Sequence, residues 1–384
     1  MTGSQERTVG IGILGYAGVA KAHLFALQRV ATVFWPLPVR PQVVALAGRS
    51  ADALQQAGQR FGALTTYTDW RRLIADDRVQ VLINAGPNDV HAEVCLAAAA
   101  SGLPVLCEKP LARTAPEAAR MHDGAISAGI VHMTSYSYRF FPAVQLARQL
   151  IREGRLGRIY HFRSRYCDDS MVDPEIPFAW RHSKARAGSG VIGDLAAHSI
   201  DLARFLVGEI ATVSATTRIF VDRRHRPEGG DATVDVEDAV EAVVEFANGA
   251  VGTLEASTFC PGRKNFFTFE INGEAGSLAV NMERLNEVEL HLRDDGANGF
   301  RTVLVTEPTH PYGGTWWPPG HILGWEHAFV HQLHRFLMAA AGQGSVEPDG
   351  ATFEDGYRCA VVCDLLEQSA QTGRRLAVES PVAP

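Results

Sequence analysis

Short apolar runs alternate with longer amphipathic stretches over the first 130 positions. Residues 9–14, 42–47, 79–84 and 104–107 read as strands of nearly continuous apolar character. Between and after them, 19–30, 51–61, 90–101 and 115–128 carry apolar residues at helical spacing, for example Leu24, Leu27 and Val30. Gly102 closes the third helix. Strands without polar alternation must be covered on both faces, and strand–helix repeats of this kind build a parallel sheet. The pattern predicts a doubly wound α/β domain of the dinucleotide-binding type, with ligands at the carboxyl ends of the strands.

The pattern changes after His132. Strands are predicted at 159–166, 211–221, 239–246, 250–258, 266–271, 277–281, 288–292 and 301–305. Asn248-Gly249 between two of them is a strong hairpin signal. These strands predict an α+β domain built on a large, open, mainly antiparallel sheet, with the domain boundary at 131/132: residues 8–131, then 132–384. Segments 222–235 and 307–320 read as long loops.

A chain of 384 residues exceeds one ordinary core, which agrees with two domains. The formal charge of −7 and pI near 6.1 argue against nucleic acid or an anionic membrane as partner. Cysteines 95, 107, 167, 260, 359 and 363 form no CxxC pair and read as reduced thiols, so a cytoplasmic location is expected. MTGSQERT at the start has no apolar core of a secretory signal, and no apolar stretch is long enough to span a membrane.

Several residues carry candidate chemistry. Gly15-Tyr16-Ala17-Gly18-Val19 follows the first strand at once, where a dinucleotide fold needs a tight glycine turn under the pyrophosphate. Ala17 and Ala20 occupy the second and third glycine positions, so the run also fits a plain strand–helix turn. Gly48-Arg49-Ser50 ends the second strand without the acid that usually holds the ribose of NAD; Arg49 leans the cofactor towards NADP, or is a solvated cation at a helix entry. Lys109, in Cys107-Glu108-Lys109-Pro110-Leu111, follows a buried strand, and a cation there needs a partner or a task. On the predicted helix 192–207, Asp194, His198 and Asp201 share one face, which suits His198 to accept a proton or equally makes a surface salt network. Gly188-Ser189-Gly190 before it permits close backbone approach. Tyr138, Arg139, Asp168, Asp169 and Arg181 are candidates for binding hydroxyls, with salt bridges as the alternative; Trp180 could stack on a sugar ring or pack in the core. His327, His331 and His334 recur at helical spacing near His321, but without HExxH order; no metal is expected, and a helix end at a substrate mouth or subunit interface is the favoured reading. Trp316-Trp317-Pro318-Pro319 is expected to anchor an interface or wall a pocket.

Gly15 with His23, Pro87-Asn88 with His91, Glu108-Lys109-Pro110, and Gly190 with Asp194, His198 and Asp201 resemble the signatures of the glucose–fructose oxidoreductase / inositol dehydrogenase (Gfo/Idh/MocA) family across essentially the whole chain. The resemblance implies a Rossmann domain and a C-terminal domain for substrate binding and oligomerisation. It implies NAD(P) held by Gly15, Tyr16, Ala17, Gly18, Val19, Arg49, Pro87, Asn88, His91, Glu108 and Lys109. It further implies Lys109 at nicotinamide and substrate, His198 as proton acceptor, Asp194 as its orienting acid, and a homodimer or homotetramer. A narrower likeness, through Lys109 to Thr114, Tyr138-Arg139, Trp180-Arg181 and His310-Pro311-Tyr312-Gly313, is to the levoglucosan dehydrogenase-type sugar dehydrogenases. This implies a sugar, anhydrosugar or cyclic polyol oxidised at a secondary hydroxyl. Ser170 and Arg49 depart from that narrower pattern. Two other classes remain open from the residues: a redox-neutral NAD-assisted glycoside-cleaving enzyme, and a non-catalytic dinucleotide-binding sensor.

Overall fold

The structure, a computed structural model, describes residues 7–16, 18–296 and 298–379. They form two compact units, one made of the chain up to Phe140 together with Gly324–Tyr357, the other of Phe141–Leu323 and the chain from Arg358.

The first unit is a six-stranded parallel sheet in the order β3-β2-β1-β4-β5-β6. Its strands are β1 (Arg7–Leu14), β2 (Val39–Ala47), β3 (Thr65–Tyr67), β4 (Val81–Asn84), β5 (Val105–Cys107) and β6 (His132–Thr134). Helices α1 (Ala20–Val33), α2 (Ala51–Phe61), α3 (Trp70–Ile74), α4 (Asn88–Ala100) and α5 (Ala115–Ala128) connect them. Strand order reverses beside β1, the place where such sheets bind ligands. The central strands β4 and β5 are buried throughout, as their unbroken apolar runs require. On α1, Leu24, Leu27 and Val30 are buried, each worth about 1.5–3 kcal/mol of burial. Ser50, Asp69 and Thr114 cap α2, α3 and α5 through side-chain oxygens. The pattern of apolar residues missed β3, α3 and β6, each five residues or shorter.

The return of residues 324–357 to this unit departs from a single cut at 131/132. Thr134 explains part of it: its N–H donates to Ala351 O at 2.7 Å and its hydroxyl to Thr352 O at 2.9 Å. Arg139 places both guanidinium ends on Asp355, at 3.3 and 3.4 Å. Helix α9 (His327–Ala340) packs on α1.

The second unit carries a nine-stranded sheet in the order β16-β15-β14-β13-β7-β12-β11-β8-β17. These are β7 (Ile159–Cys167), β8 (Ile210–Arg218), β11 (Ala239–Phe246), β12 (Val251–Ser257), β13 (Phe266–Gly273), β14 (Gly276–Asn281), β15 (Glu287–Leu292), β16 (Arg301–Leu304) and β17 (Leu376–Ala377). All neighbours are antiparallel except β7 and β12. Asn248-Gly249 forms the expected β11–β12 turn, with Gly249 at φ 86°. Burial alternates along β11, β14 and β15, so one face meets helices and the other stays open. Segment 222–235, expected as a loop, contains the hairpin β9 (Arg223–His225) and β10 (Asp231–Thr233). Helices α6 (Pro142–Arg152), α7 (Lys184–Ala187) and α8 (Ala197–Leu206) belong to this unit; the long α10 (Phe353–Thr372) contributes its first turn to the other. α8 packs on β7, where Ser164 Oγ donates to Ser199 Oγ at 2.8 Å.

Candidate active site

In the first unit the carboxyl ends of β1, β4 and β5 gather most of the residues expected to hold a dinucleotide. Gly15 has φ 98°, and a Cβ there would lie 2.3 Å from Ala85 O, so only glycine allows β1 to turn this tightly against β4. Gly18 has φ 50° with open space where a Cβ would project. Val19 caps the start of α1 without a side-chain hydrogen bond, while the N–H groups of Lys21 and Ala22 donate to Gly18 O and Val19 O at 3.1 and 2.9 Å. Ala17 lies outside the described residues. Tyr16 packs its ring over Gly48, since a Cβ at Gly48 would meet Tyr16 Cε1 at 2.2 Å. Arg49 follows, exposed at the end of β2. This cradle of glycines and an uncapped helix start fits a pyrophosphate.

Pro87 and Asn88 open α4 directly after β4. His91, one turn on, is fully buried rather than facing a ligand groove. Its ring nitrogens lie 3.0 Å from Gly86 O and 3.0 Å from Pro110 O, so it braces the loops after β4 and β5. Burial pushes its imidazole below the ordinary range, favouring the neutral form.

Glu108 is nearly buried at the end of β5. Oε1 lies 2.7 Å from His23 Nε2, and Oε2 accepts the N–H of Lys109 at 3.2 Å. Burial works to raise this carboxyl, but the hydrogen bond and charge of His23 outweigh it and hold it below the usual carboxylate range. The Lys109-Pro110 peptide is cis. Lys109 is half-buried, and the carboxylate of Glu108 holds its backbone N–H at the strand end.

Tyr138 and Arg139 lie in a short 3₁₀ turn of the first unit and are buried. Arg139 takes the ion-pair role that its sequence also allowed, through Asp355. The histidines of α9 make packing contacts within the same unit. His334 stacks on Phe34 at 3.8 Å, His331 meets the edge of the same ring and places Nδ1 2.9 Å from Phe140 O, and His327 meets Phe25. His321 is exposed and caps its own turn, Nδ1 lying 2.9 Å from Pro318 O.

In the second unit the expected helix of 192–207 begins as a π-turn, Ile192–Ala196, and continues as α8. The relation of Asp194 to His198 is therefore set by a wider turn than 3.6-residue spacing assumes. Glu237 fixes its start: one carboxylate oxygen accepts the N–H of Gly190 at 2.9 Å and of Ile192 at 2.8 Å, and the Glu237 carbonyl accepts Val191 N–H at 3.1 Å. A Cβ at Gly190 would stand 2.0 Å from that carbonyl, which explains the glycine. Burial raises the Glu237 carboxyl against the pull of those N–H groups. Nothing in the spacing of residues pointed to Glu237.

His198 is buried, its ring 6.0 Å from Tyr166 and 6.5 Å from Phe267, which stack on each other at 4.6 Å. Tyr166 donates its hydroxyl to Asn265 at 2.8 Å. Asp201 is buried on the same helix. Asp194 is half-buried and faces Arg181 at 3.9 Å; the Arg181 guanidinium lies 4.4 Å from the Trp180 ring centre. Asp168 ends the β7 extension, and burial, with the charges of Asp194 and Asp169 adding, raises its carboxyl. Asp169 is taken up by Lys264, at 2.7 and 3.0 Å, and by Gly262 N–H, and its carboxyl is held low by that lysine. The structure thus brings Asp168, Trp180, Arg181, Asp194 and His198 to one side of the second sheet, with Tyr166 and Asn265 as members that the sequence did not announce.

The family model described as "Oxidoreductase family, NAD-binding Rossmann fold" matches residues 9–136, and that of the GFO/IDH/MocA C-terminal domain matches 144–279. A levoglucosan dehydrogenase of Pseudarthrobacter phenanthrenivorans is 40% identical over 380 residues, 95% of this chain and 96% of its own. A D-xylose 1-dehydrogenase (NADP(+)) of Haloferax volcanii is 29% identical over 78% of this chain and 85% of its own. The solved structure of levoglucosan dehydrogenase with NADH and levoglucosan superposes with a TM-score of 0.93 at 40% identity, covering 97% of this chain and all of that one.

Proposed function

The chain belongs to the Gfo/Idh/MocA family of oxidoreductases, and from that membership we propose an NAD(P)-dependent dehydrogenase acting on a secondary hydroxyl of a sugar, anhydrosugar or cyclic polyol. The observation that carries the reading is Lys109, set at the carboxyl end of β5 through Glu108 and its buried partner His23. When bound, the nicotinamide supplies the hydride acceptor. Lys109 donates a hydrogen bond to the reacting oxygen and stabilises charge as it develops there. His198 accepts the hydroxyl proton, and Asp194 orients the substrate or the imidazole. Asp168, Trp180 and Arg181 bind the remaining hydroxyls and the ring face, Asp169 holding the adjoining loop through Lys264. The exposed Arg49 and the absence of an acid at the end of β2 favour acceptance of NADP alongside NAD.

The protein is further proposed to work in the cytoplasm as a homodimer or homotetramer that buries the open face of the second sheet. Reduced cysteines support the location: all six are free. No helix among the described residues is long and apolar enough to cross a membrane.

A spectrophotometric screen of inositols, pyranoses and anhydrosugars against NAD and NADP tests the central reading. Stoichiometric formation of NADH or NADPH with at least one of them is expected. Sugar turnover without net nucleotide reduction would instead indicate redox-neutral cleavage.

A further inference from the structure

Three donor groups from separate stretches of the second unit converge on the side of the sheet away from α8. Cys167 is the last residue of β7, Glu255 lies on β12, and Cys260 sits in the loop that leaves β12. Arg165, Cys167 and Glu255 share a face because β7 and β12 pair in parallel with Arg165 opposite Glu255. Cys167 is fully buried, whereas Glu255 and Cys260 are partly open. One sulfur from each cysteine and one oxygen of Glu255 lie within 4.8 Å of one another, and the Cys167 thiol donates to Glu255 Oε1 at 3.3 Å.

From this geometry we propose that Cys167, Cys260 and Glu255 form a binding site for a thiophilic divalent cation of the zinc class. The donor set is two sulfurs and one oxygen, which suits zinc and its cobalt surrogate and not magnesium or calcium. Tetrahedral bonds of zinc to sulfur and carboxylate set the two donors about 3.6 Å apart, so the 3.3 Å contact needs only a small opening. Entry of the cation releases both thiol protons to solvent and forms two metal–sulfur bonds and one metal–oxygen bond, with no change of oxidation state. The two thiolates and the carboxylate exceed the cation by one negative charge. Arg165 balances it, its Nε lying 2.8 Å from Glu255 Oε1, where it also orients the carboxylate from the outer shell. Three protein ligands leave the fourth position for a water molecule.

Backbone hydrogen bonds link this site to the opposite face. Asp168 follows Cys167; its N–H donates to Ser257 O at 3.0 Å, and its carbonyl accepts Cys260 N–H at 2.9 Å. A cation joining the two cysteines clamps the backbone on both sides of Asp168.

Cobalt(II) chloride added to the reduced full-length protein tests the proposal. One equivalent is expected to produce thiolate-to-cobalt charge-transfer absorption in the near ultraviolet and to raise the melting temperature. Zinc should displace the cobalt and abolish the absorption, and magnesium should not. Cys260→Ala, at the more open cysteine, should lose the band, and Glu255→Gln should weaken binding at least tenfold; the melting temperature of each metal-free variant verifies its fold. A folded Cys260→Ala protein with the full band would overturn the site. So would a reduced wild-type protein without the band at saturating cobalt.

Discussion

His23 on α1 and Glu108 at the end of β5 form a buried pair, Nε2 to Oε1 at 2.7 Å, with neither side chain more than 8% exposed. The remaining oxygen of Glu108 accepts the Lys109 N–H, so a contact between α1 and β5 governs the position of the lysine backbone. Removing one partner leaves the other buried and uncompensated, at a cost of about 3–5 kcal/mol. His23→Ala and Glu108→Ala are each expected to lower stability on this scale in urea unfolding. Losses below about 1 kcal/mol in both would show that the pair is not fixing the strand end.

The same pair sets a pH dependence. Glu108 is held below its unfolded value of about 4.3, so its contribution is present above that value and is lost as pH falls through the lower folded value. Unfolding free energy should therefore drop below about pH 4.3 in the wild type. Glu108→Gln should flatten that part of the profile; an identical slope in both proteins would assign the dependence to other groups.

Lys109→Met and His198→Ala separate the two chemical roles. Loss of a positioned proton acceptor lowers kcat about 10²–10⁴-fold. His198→Ala should fall in that range in steady-state assays and should lose the acidic limb of the kcat profile. Lys109→Met should lower kcat with folding and dinucleotide binding retained. Near-normal hydride transfer in both variants would remove these residues from the mechanism.

The alternation of strands and helices was legible up to β5 because buried parallel strands have no polar face to blur the signal. Later features depend on partners far along the chain. The bridge from Thr134 to Ala351, and with it the return of 324–357, has no local signature. Nor has the parallel pairing of β7 with β12. Lys109 and His198 stood out by motif, whereas Arg139 resembled a ligand-binding cation until Asp355, more than 200 residues on, proved to be its partner. The π-turn at Asp194 was hidden for a similar reason: Glu237 stabilises it from another segment.

Glu237 therefore makes a separable prediction. Both N–H groups it accepts meet the same oxygen, and a glutamine can present an oxygen in that place. Glu237→Gln should retain stability and kcat. Glu237→Ala leaves two buried N–H groups unsatisfied, costing about 1–3 kcal/mol each, and should lower both. Gly190→Ala should resemble the alanine variant, because its Cβ would strike the Glu237 carbonyl. Equal behaviour of Glu237→Gln and Glu237→Ala in thermal unfolding and initial-rate assays would refute this reading of the turn.

Arg49 tests cofactor selection. An acid at this position would bind the ribose of NAD and repel the 2′-phosphate of NADP. Arg49→Asp should lower kcat/KM for NADP relative to NAD by about tenfold or more, consistent with the loss of a charge-assisted contact. An unchanged ratio would place selection elsewhere, and Tyr16, whose ring covers Gly48, would be the next position to vary.

The histidines of α9 predict acid sensitivity of the first unit. Burial pushes His331 down to about 3 and His334 down to about 4, with neighbouring histidines adding to the effect at His331. Their folded values lie below the unfolded value of about 6.5, so the stabilising neutral form is fully expressed above that pH. As pH falls from 6.5 the unfolded chain takes up protons that the folded chain refuses. The fully buried His331 alone then accounts for about 1.4 kcal/mol of lost stability per pH unit. His331→Gln, which keeps a donor for the Phe140 carbonyl, should reduce the slope of unfolding free energy between pH 6 and pH 4.5 by about one proton. If the slope does not change, His331 is not protonated on unfolding in that interval, and the packing of α9 against Phe34 contributes no acid sensitivity through it.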